Sequence, residues 1–337
     1  MMFRNFLRGG VLLAALMVSA CDDQPTAVRA ADPSPVRAFA SEGAETLPSV
    51  DFRVMIDTIT RGLIEKETEA YVVPTAAELE VWRQAVDAVV AGDVATADSL
   101  LDPYAYDVIR IVESGTGDTL TVMRERIPAG GDVARGWGTY AFNPSATAQA
   151  DIHVNHPVDD QHSEDVAGDL YRSCGCRWFL MAGARRAANA SDDSDMARAT
   201  NSVFHRVHTR VAAPGTRALS IHGFRIENHP DELPADAELV LSNGRNASTS
   251  RPRYVAADST LRTRLNAAGF VSGLYKADVA YQDLGATQNP QGQHSNNTLG
   301  WGHWMHLEHE RAVRVDSAQW KASNAVIRQW ILDFPAQ

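Results

Sequence analysis

The 337-residue sequence has few cysteines, no excess of basic charge and no long apolar run. Three cysteines are too few for a disulfide framework. Lysine and arginine number 31 against 42 aspartates and glutamates, and this net charge of −11 disfavours a nucleic-acid partner. The apolar run Val11 to Val18 is too short to cross a bilayer as a stable helix. Neither a Gly-x-Ser-x-Gly elbow nor a Gly-Lys-Ser/Thr phosphate loop is present, so serine-hydrolase and P-loop chemistry lack support.

What remains is an ordinary composition for a folded protein with a core. Apolar residues make up 45% and charged residues 22% of the chain. These values exclude a disordered, collagen-like or multi-span membrane chain. The eleven histidines are concentrated after residue 150, which indicates the part of the chain that carries the chemistry.

The N-terminus is typical of an export signal. A short basic start precedes the apolar run, and Val18-Ser-Ala-Cys21 resembles the bacterial lipobox. We therefore expect residues 1–20 to be a lipoprotein signal peptide and Cys21 to be lipidated. The alternative is an ordinary signal peptide that contains a cysteine. Residues 21–48, rich in Ala, Pro, Ser and Asp, are expected to form a flexible tether. This predicts a protein of the bacterial cell envelope, lipid-anchored to a membrane and facing the periplasm or the exterior.

Residues 49–142 predict a small α+β domain. A capping box beginning at Thr75 predicts a helix that extends to about Ala91. Residues 107–112 and 119–123 alternate like strands and are joined by a glycine-rich hairpin turn.

Residues 143–337 alternate between strand and helix patterns. The strands are expected at 150–154, 177–181, 218–221, 238–241 and 304–308, and the helices at 163–172, 195–211, 260–268 and 317–332. This alternation predicts an α/β fold in which helices cover a mixed, largely parallel sheet. In such sheets functional groups gather where strands end.

Histidines and an acid occur at three of these strand ends. His156 follows the first strand and begins a nine-residue run with several carboxylates, while His222 ends the third strand. Two histidines and one carboxylate around a metal leave a fourth position for water, which is the catalytic zinc arrangement. Glu308, at the end of the last strand, is placed to take a proton from that water and pass it to a leaving amine.

This order of motifs resembles the zinc hydrolases of the carboxypeptidase-like fold. That group includes zinc carboxypeptidases, N-formylglutamate amidohydrolases and N-acetylmuramoyl-L-alanine amidases. The resemblance covers about residues 145–315 and implies Zn²⁺ as cofactor. It implies His156 as the first ligand, His222 as the second histidine ligand and Glu308 as the catalytic glutamate.

The carboxylate ligand is not settled by the pattern. Asp159 has the three-residue offset of the carboxypeptidase His-x-x-Glu motif but is a shorter acid. Asp160 is the ligand we expect, and Asp159 and Glu164 stay open as alternatives.

Substrate recognition is expected from residues after the second strand and on the last one. Arg185 and Arg186 suit bidentate binding of a carboxylate, although a solvated pair at the surface is the alternative. Together with Asn189 they are similar to an arginine-asparagine segment of cell-wall amidases. If residues 304–308 form a strand, His306 shares a face with Glu308 and joins the substrate site.

Three other features have structural interpretations. A disulfide across one residue is strained, so Cys174 and Cys176 are predicted to be buried thiols. His205 and His208, three apart on a predicted helix, are expected to be surface or packed residues. The polar, turn-prone stretch 285–292 predicts a lid or a plain surface loop.

Together these features predict a membrane-anchored bacterial lipoprotein that hydrolyses amide bonds with zinc. The expected substrates are peptide-like or carboxylate-bearing amides, and a deformylase resembling the N-formylglutamate enzymes is one form of this activity. The rival hypothesis is a non-catalytic envelope lipoprotein that keeps the fold to bind a ligand or partner.

Overall fold

The computed structural model describes residues 47–129, 131–245 and 254–334. The predicted signal peptide, Cys21 and nearly all of the predicted tether lie outside these residues. The strands are β1 Ser49–Val50, β2 Tyr106–Glu113, β3 Thr119–Glu125, β4 Thr139–Phe142, β5 Ala148–Val154, β6 Cys176–Met181, β7 Arg217–Phe224, β8 Leu239–Ser242, β9 Ser272–Leu274 and β10 Trp304–Glu310. The helices are α1 Phe52–Thr60, α2 Ala76–Ala91, α3 Val94–Leu101, α4 Ser163–Cys174, α5 Val203–Val211, α6 Ala256–Ala267, α7 Pro290–Thr298, α8 Arg311–Val315 and α9 Ser317–Asp333.

All of these strands belong to one mixed sheet. Their order is β1-β2-β3-β4-β6-β5-β7-β10-β8-β9, and the four neighbours β6, β5, β7 and β10 are parallel. Antiparallel pairings join this parallel centre to β4 on one side and to β8 on the other. The α/β fold with a mixed sheet covered by helices is therefore confirmed.

The predicted small domain at residues 49–142 contributes strands to this same sheet. Within it, α2 begins at the expected capping box, in which Thr75 and Glu78 bond to each other's backbone amides. Its last strand, β4, pairs with β6 through Phe142 and Trp178. The segment therefore extends one edge of the sheet and does not form a sheet of its own.

The two faces of the parallel centre differ in polarity. Side chains opposite each other in neighbouring strands point to the same face. One face is apolar and packs on α4, α6 and α9 through residues such as Ile152, Leu219 and Met305. On the other face, His153, Ser220 and His306 lie opposite one another on neighbouring strands. Two residues nearer the carboxyl ends, His222 lies opposite Glu308. This alternation places the polar side chains of three strands together.

Two helices differ from the expectation. The helix predicted from residue 195 begins only at Val203, where Ser202 caps its first turn, and Asp195 lies in irregular chain before it. The last three of the eight residues in the predicted loop 285–292 are helical, because Asn289 caps α7 and Pro290 occupies its first turn.

The prediction of free thiols at Cys174 and Cys176 is wrong. The two sulfurs are joined in a disulfide between the end of α4 and the start of β6. The left-handed backbone of Gly175, with φ of 59°, makes the turn between them.

Within residues 47–129, 131–245 and 254–334, none of the helices combines the length and the apolar character that a membrane span needs.

Candidate metal centre

The candidate centre lies where β5, β7 and β10 end. His156 follows β5 by two residues, Asp160 lies in the next turn, and His222 projects from β7. All three side chains are at most 5% exposed. Among the described residues they form one of two groups whose ligand atoms lie within 4.8 Å of one another.

The distances from Asp160 to the two histidine nitrogens of this group are close to those of a tetrahedral metal site. His222 Nδ1 lies 2.9 Å and His156 Nδ1 3.3 Å from Asp160 Oδ2. Ligand bonds of about 2.0–2.1 Å in a tetrahedron separate the donors by about 3.3 Å. Zinc therefore fits between these three side chains with little movement.

His156 is held from behind by a second carboxylate. Its Nε2 donates to Asp195 Oδ1 at 2.7 Å, which leaves Nδ1 toward Asp160. Burial lowers the pKa of His156, but Asp195 and Asp160 outweigh it and raise the pKa to about 10. A cation is therefore favoured at this position, and histidines that bind metals commonly donate their other ring N–H to a carboxylate in this way.

His222 differs from His156, because its pKa is lowered and not raised. Burial lowers its pKa and favours the neutral ring. Its Nε2 lies 3.1 Å from Ser220 Oγ, and that hydroxyl donates its only proton to Asn155 Oδ1 at 2.6 Å. Ser220 therefore favours a ring proton on Nε2, whereas the Asp160 carboxylate, 2.9 Å from Nδ1, favours a proton on Nδ1. A cation between Nδ1 and the carboxylate would bind both atoms and leave the ring proton on Nε2.

Glu308 lies beside this group on the neighbouring strand. It is directly opposite His222 and forms the second group of possible ligands with His222 and His306. Burial raises the pKa of Glu308 to about 8, and the nearby Asp160 adds to this effect. The pKa of Asp160 is held well below its usual value by the two histidines against the opposing effect of burial. The low pKa of Asp160 suits a metal ligand, and the raised pKa of Glu308 suits a group that binds and releases a proton near neutral pH.

The carboxyl group of Glu308 keeps one oxygen available. Glu308 Oε1 lies 3.4 Å from His306 Nε2, while Oε2 is buried and has no hydrogen-bond partner among the described residues. Because buried polar atoms are normally paired, an unpaired carboxylate oxygen beside the centre indicates a partner such as water or substrate. His306 lies on the same face, as the strand interpretation predicted, and its ring is 4.5 Å from that of His222.

The two alternative carboxylate ligands point elsewhere. Asp159 Oδ1 pairs with Arg185 at 2.9 Å and with Lys66 at 3.0 Å, and its Oδ2 accepts from the Arg186 amide at 2.8 Å. Glu164 accepts a hydrogen bond from the Val158 amide at 3.1 Å and so connects the first turn of α4 to the loop that precedes it. Only Asp160 of the three acids lies between the two histidines.

The expected substrate residues separate into two kinds. Arg185 is engaged by Asp159 and Glu65, and Asn189 exchanges two hydrogen bonds with the Tyr71 backbone. Arg185 and Asn189 therefore connect the segment that contains Glu65 and Tyr71 to the chain that follows β6, and their polar groups are used in these contacts. Arg186 is half-buried, and its charge lowers the pKa of both Glu308 and Asp195, although burial, the largest effect on each, acts in the opposite direction.

Behind the centre, a second set of histidines packs ring against ring. His208 is fully buried, and its ring lies 5.1 Å from His153 and 5.6 Å from His294. His205 stacks 6.4 Å from His208 on the same helix. In the described part of the chain these four histidines do not form a group of converging ligand atoms. His205 and His208 are thus packed residues, one of the two interpretations that their spacing allowed.

On the apolar face, His309 gives a testable dependence of stability on pH. Burial and the charge of Arg314 lower the pKa of His309 from 6.5 to about 4. Between pH 6.5 and 4 the imidazole is protonated in the unfolded chain but stays neutral in the folded protein. The contribution of His309 to the free energy of unfolding is therefore complete above pH 6.5 and is lost as the pH falls toward 4. A His309→Leu variant is expected to lose this component, about 1.4 kcal/mol per pH unit. Chemical denaturation at several pH values measures it, and an unchanged slope between pH 6.5 and 4 contradicts the assignment.

Sequence reasoning missed two supporting residues, Asp195 and Ser220. Asp195 is 39 positions from His156 and was assigned to the start of a helix. Ser220 lies two residues before His222 on β7. A serine two residues before a ligand on the same strand face was the available signal, because residues i and i+2 share a face.

Comparison with known proteins yields distant structural likenesses only. A scan against protein-family models finds no match, and a search of curated proteins finds none. Among solved structures, an N-formylglutamate amidohydrolase from Ralstonia eutropha JMP134 matches at 11% identity and TM-score 0.39, over 59% of this chain and 96% of the other. A bacteriophage poly-gamma-glutamate hydrolase matches at 11% identity and TM-score 0.36, over 56% and 85%. A metallo-carboxypeptidase from Burkholderia cenocepacia matches at 13% identity and TM-score 0.31, over 73% and 68%.

These neighbours are named as hydrolases, and two of them belong to the groups that the sequence motifs resemble. At these identities and scores the likeness carries no argument about the reaction. The assignment of function therefore depends on the geometry of the centre itself.

Proposed function

We propose that the chain is a zinc-dependent hydrolase of amide bonds, an amidase or a peptidase. One observation carries the proposal: His156 and His222 each turn Nδ1 toward Asp160 while their other nitrogens are held from behind. Such an arrangement leaves part of the coordination sphere open, as a catalytic zinc site requires. Glu308 lies opposite His222 on the adjacent strand, where a general base is needed.

In this proposal, three residues bind the metal and a fourth transfers protons. His156, Asp160 and His222 would hold the metal, which when bound supplies a water whose pKa is near 7. Glu308 would accept a proton from that water and deliver it to the nitrogen of the leaving amine. A cation nearby favours the charged carboxylate, so the pKa of Glu308 is expected to fall from about 8 toward neutrality or below.

For the substrate, we propose an amide that carries a carboxylate. Arg186 is the arginine that supports this, because it is half-buried and acts electrostatically on Glu308. A guanidinium binds a carboxylate bidentately and fixes its orientation. Peptides and N-acyl amino acids satisfy this requirement, and an envelope location makes peptidoglycan fragments a further candidate.

A substrate panel tests this assignment. Zinc-loaded protein is expected to cleave N-acyl amino acids or short peptides with a free carboxylate in preference to the same compounds with an amidated one. Arg186→Gln is expected to raise KM for the carboxylate substrates about tenfold or more, since a charge-assisted pair contributes about 1.5–3 kcal/mol. It is expected to leave KM for the amidated compounds unchanged. Zinc binding without cleavage of any amide supports the rival hypothesis, a binding lipoprotein.

We further propose that the protein is lipid-anchored in a bacterial envelope through Cys21. The lipobox-like segment supports this proposal. The anchor would leave the folded part at the membrane surface, where peptide-like envelope material is accessible.

A further inference from the structure

A buried chain of hydrogen bonds leads from His222 away from the candidate metal. It passes through Ser220 on β7 and Asn155 after β5 to Gln291 on α7. Asn155, Ser220 and Gln291 are all completely buried. None of these three side chains belongs to the two groups of possible metal ligands found among the described residues, yet they form a continuous chain of hydrogen bonds.

The direction of every hydrogen bond in this chain follows from one fixed acceptor. The Met196 backbone carbonyl accepts a hydrogen bond from Asn155 Nδ2 at 3.0 Å. A carbonyl oxygen can only accept hydrogen bonds, so the group that faces it must be the amide nitrogen. The second proton of the same amide nitrogen points to Gln291 Oε1 at 3.2 Å. The Asn155 amide is thus held from two sides, so its oxygen must face Ser220.

The orientation of Asn155 then determines the tautomer of His222. Ser220 Oγ lies 2.6 Å from Asn155 Oδ1 and must donate there, because that oxygen carries no proton. A hydroxyl has one proton, so its oxygen receives the Nε2 proton of His222 at 3.1 Å. Nδ1 is left as the lone-pair nitrogen, which is the form that coordinates a metal.

Asp160 competes for that proton. Its Oδ2 lies 2.9 Å from His222 Nδ1, so a proton on Nδ1 would make a charge-assisted hydrogen bond there. In that tautomer His222 could not bind a metal through Nδ1. The hydrogen-bond chain is what opposes it, because a lone pair on Nε2 would then face the lone pairs of Ser220.

We propose that Ser220, Asn155 and Gln291 are positioning residues that fix His222 in its Nε2–H tautomer and so present Nδ1 to the metal. This inference rests on the proposed role of His222 as a zinc ligand. It also couples α7 to the centre, because Gln291 belongs to that helix and extends its amide nitrogen toward His205 Nδ1 at 3.5 Å.

The test uses tautomer and affinity, neither of which requires catalysis. Long-range proton–nitrogen NMR correlations of the zinc-free protein report which nitrogen of His222 carries the proton, with His222→Gln identifying the signals. Wild type is expected to show Nε2–H, and Ser220→Ala is expected to shift the ring toward Nδ1–H. Competition with a zinc chelator is expected to show a loss of affinity of about 10–100-fold in the variant.

Several variants separate positioning from simple packing. Ser295→Ala is the matched control, since Ser295 on α7 contacts the buried His208 Nε2 at 3.2 Å and not a candidate ligand. Ser220→Thr keeps the hydroxyl and is expected to restore tautomer and affinity. Gln291→Leu is expected to weaken zinc binding in the same direction as Ser220→Ala but by less, because Met196 still holds Asn155.

The outcomes are distinguishable. If Ser220→Ala keeps the Nε2–H tautomer and binds zinc within twofold of Ser295→Ala, the positioning role is wrong. If Ser220→Ala fails to fold, Gln291→Leu decides by the same two measurements. If wild type binds no zinc, the proposed function fails, while the NMR comparison still shows whether the hydrogen-bond chain sets the tautomer.

Discussion

Replacing Glu308 by glutamine is expected to lower kcat/KM for amide hydrolysis about a thousandfold, within the range of about 10²–10⁴ that a positioned general base contributes. Glutamine keeps the size of the side chain but accepts no proton at neutral pH. Because Asp160, His156 and His222 are untouched, the zinc content is expected to stay at the wild-type value. Steady-state kinetics with metal analysis on the same preparation measure both quantities.

Glu310→Gln is the matched control for this variant. Glu310 lies on the same strand and face as Glu308, two residues further along, but its carboxylate caps α8. Its replacement is expected to leave kcat/KM within about threefold. An equal loss of kcat/KM in the two variants contradicts a specific proton-transfer role for Glu308. Loss of zinc in Glu308→Gln would instead identify Glu308 as a metal ligand.

Asp160→Asn is expected to remove zinc from the protein, whereas Asp159→Asn is not. Among the described residues, Asp160 is the carboxylate that contacts both histidines, so its loss should lower zinc affinity by more than the roughly 10–100-fold that a supporting residue costs. Asp159 instead pairs with Arg185 and Lys66. Its neutralisation is expected to lower the free energy of unfolding by about 2 kcal/mol while zinc stays bound.

Chelator competition and chemical denaturation on both variants make this comparison. The two neighbouring acids differ only in the direction of their side chains, so each is the control for the other. Zinc loss in Asp159→Asn with zinc retained in Asp160→Asn would falsify the ligand assignment.

Much of the centre could be predicted because it depends on local rules. Strand periodicity located β5, β7 and β10, although β7 and β10 continue three and two residues past their predicted ends. Parallel register brings the carboxyl ends of these strands to one edge of the sheet. His156, His222 and Glu308 therefore could be grouped from the sequence. The capping box before α2 was visible for the same reason, since all of its parts lie within four residues.

The choice between Asp159 and Asp160 could not be made from sequence. Adjacent residues point in different directions, and here the turn decides which one faces the histidines. Val158 adopts a left-handed backbone with φ of 66°, which a β-branched residue rarely does, and Arg185 holds Asp159 from outside the loop. Both features come from tertiary contacts.

The supporting residues were missed because their partners are far away along the chain. Asp195 meets His156 across 39 residues and Asn155 meets Gln291 across 136. The helix that carries Gln291 has glutamines, asparagines and a glycine where an amphipathic helix has a regular apolar stripe. Its stability comes from its cap at Asn289 and from close packing of Gly292 on Trp304, and neither leaves a periodic signal.

The metal content of the purified protein tests the central claim most directly. Mass spectrometry is expected to find about one zinc per chain in wild type and none in either His156→Ala or His222→Ala. Absence of zinc from wild type, with no uptake when zinc is added, contradicts the account and favours the rival hypothesis of a non-catalytic binding protein.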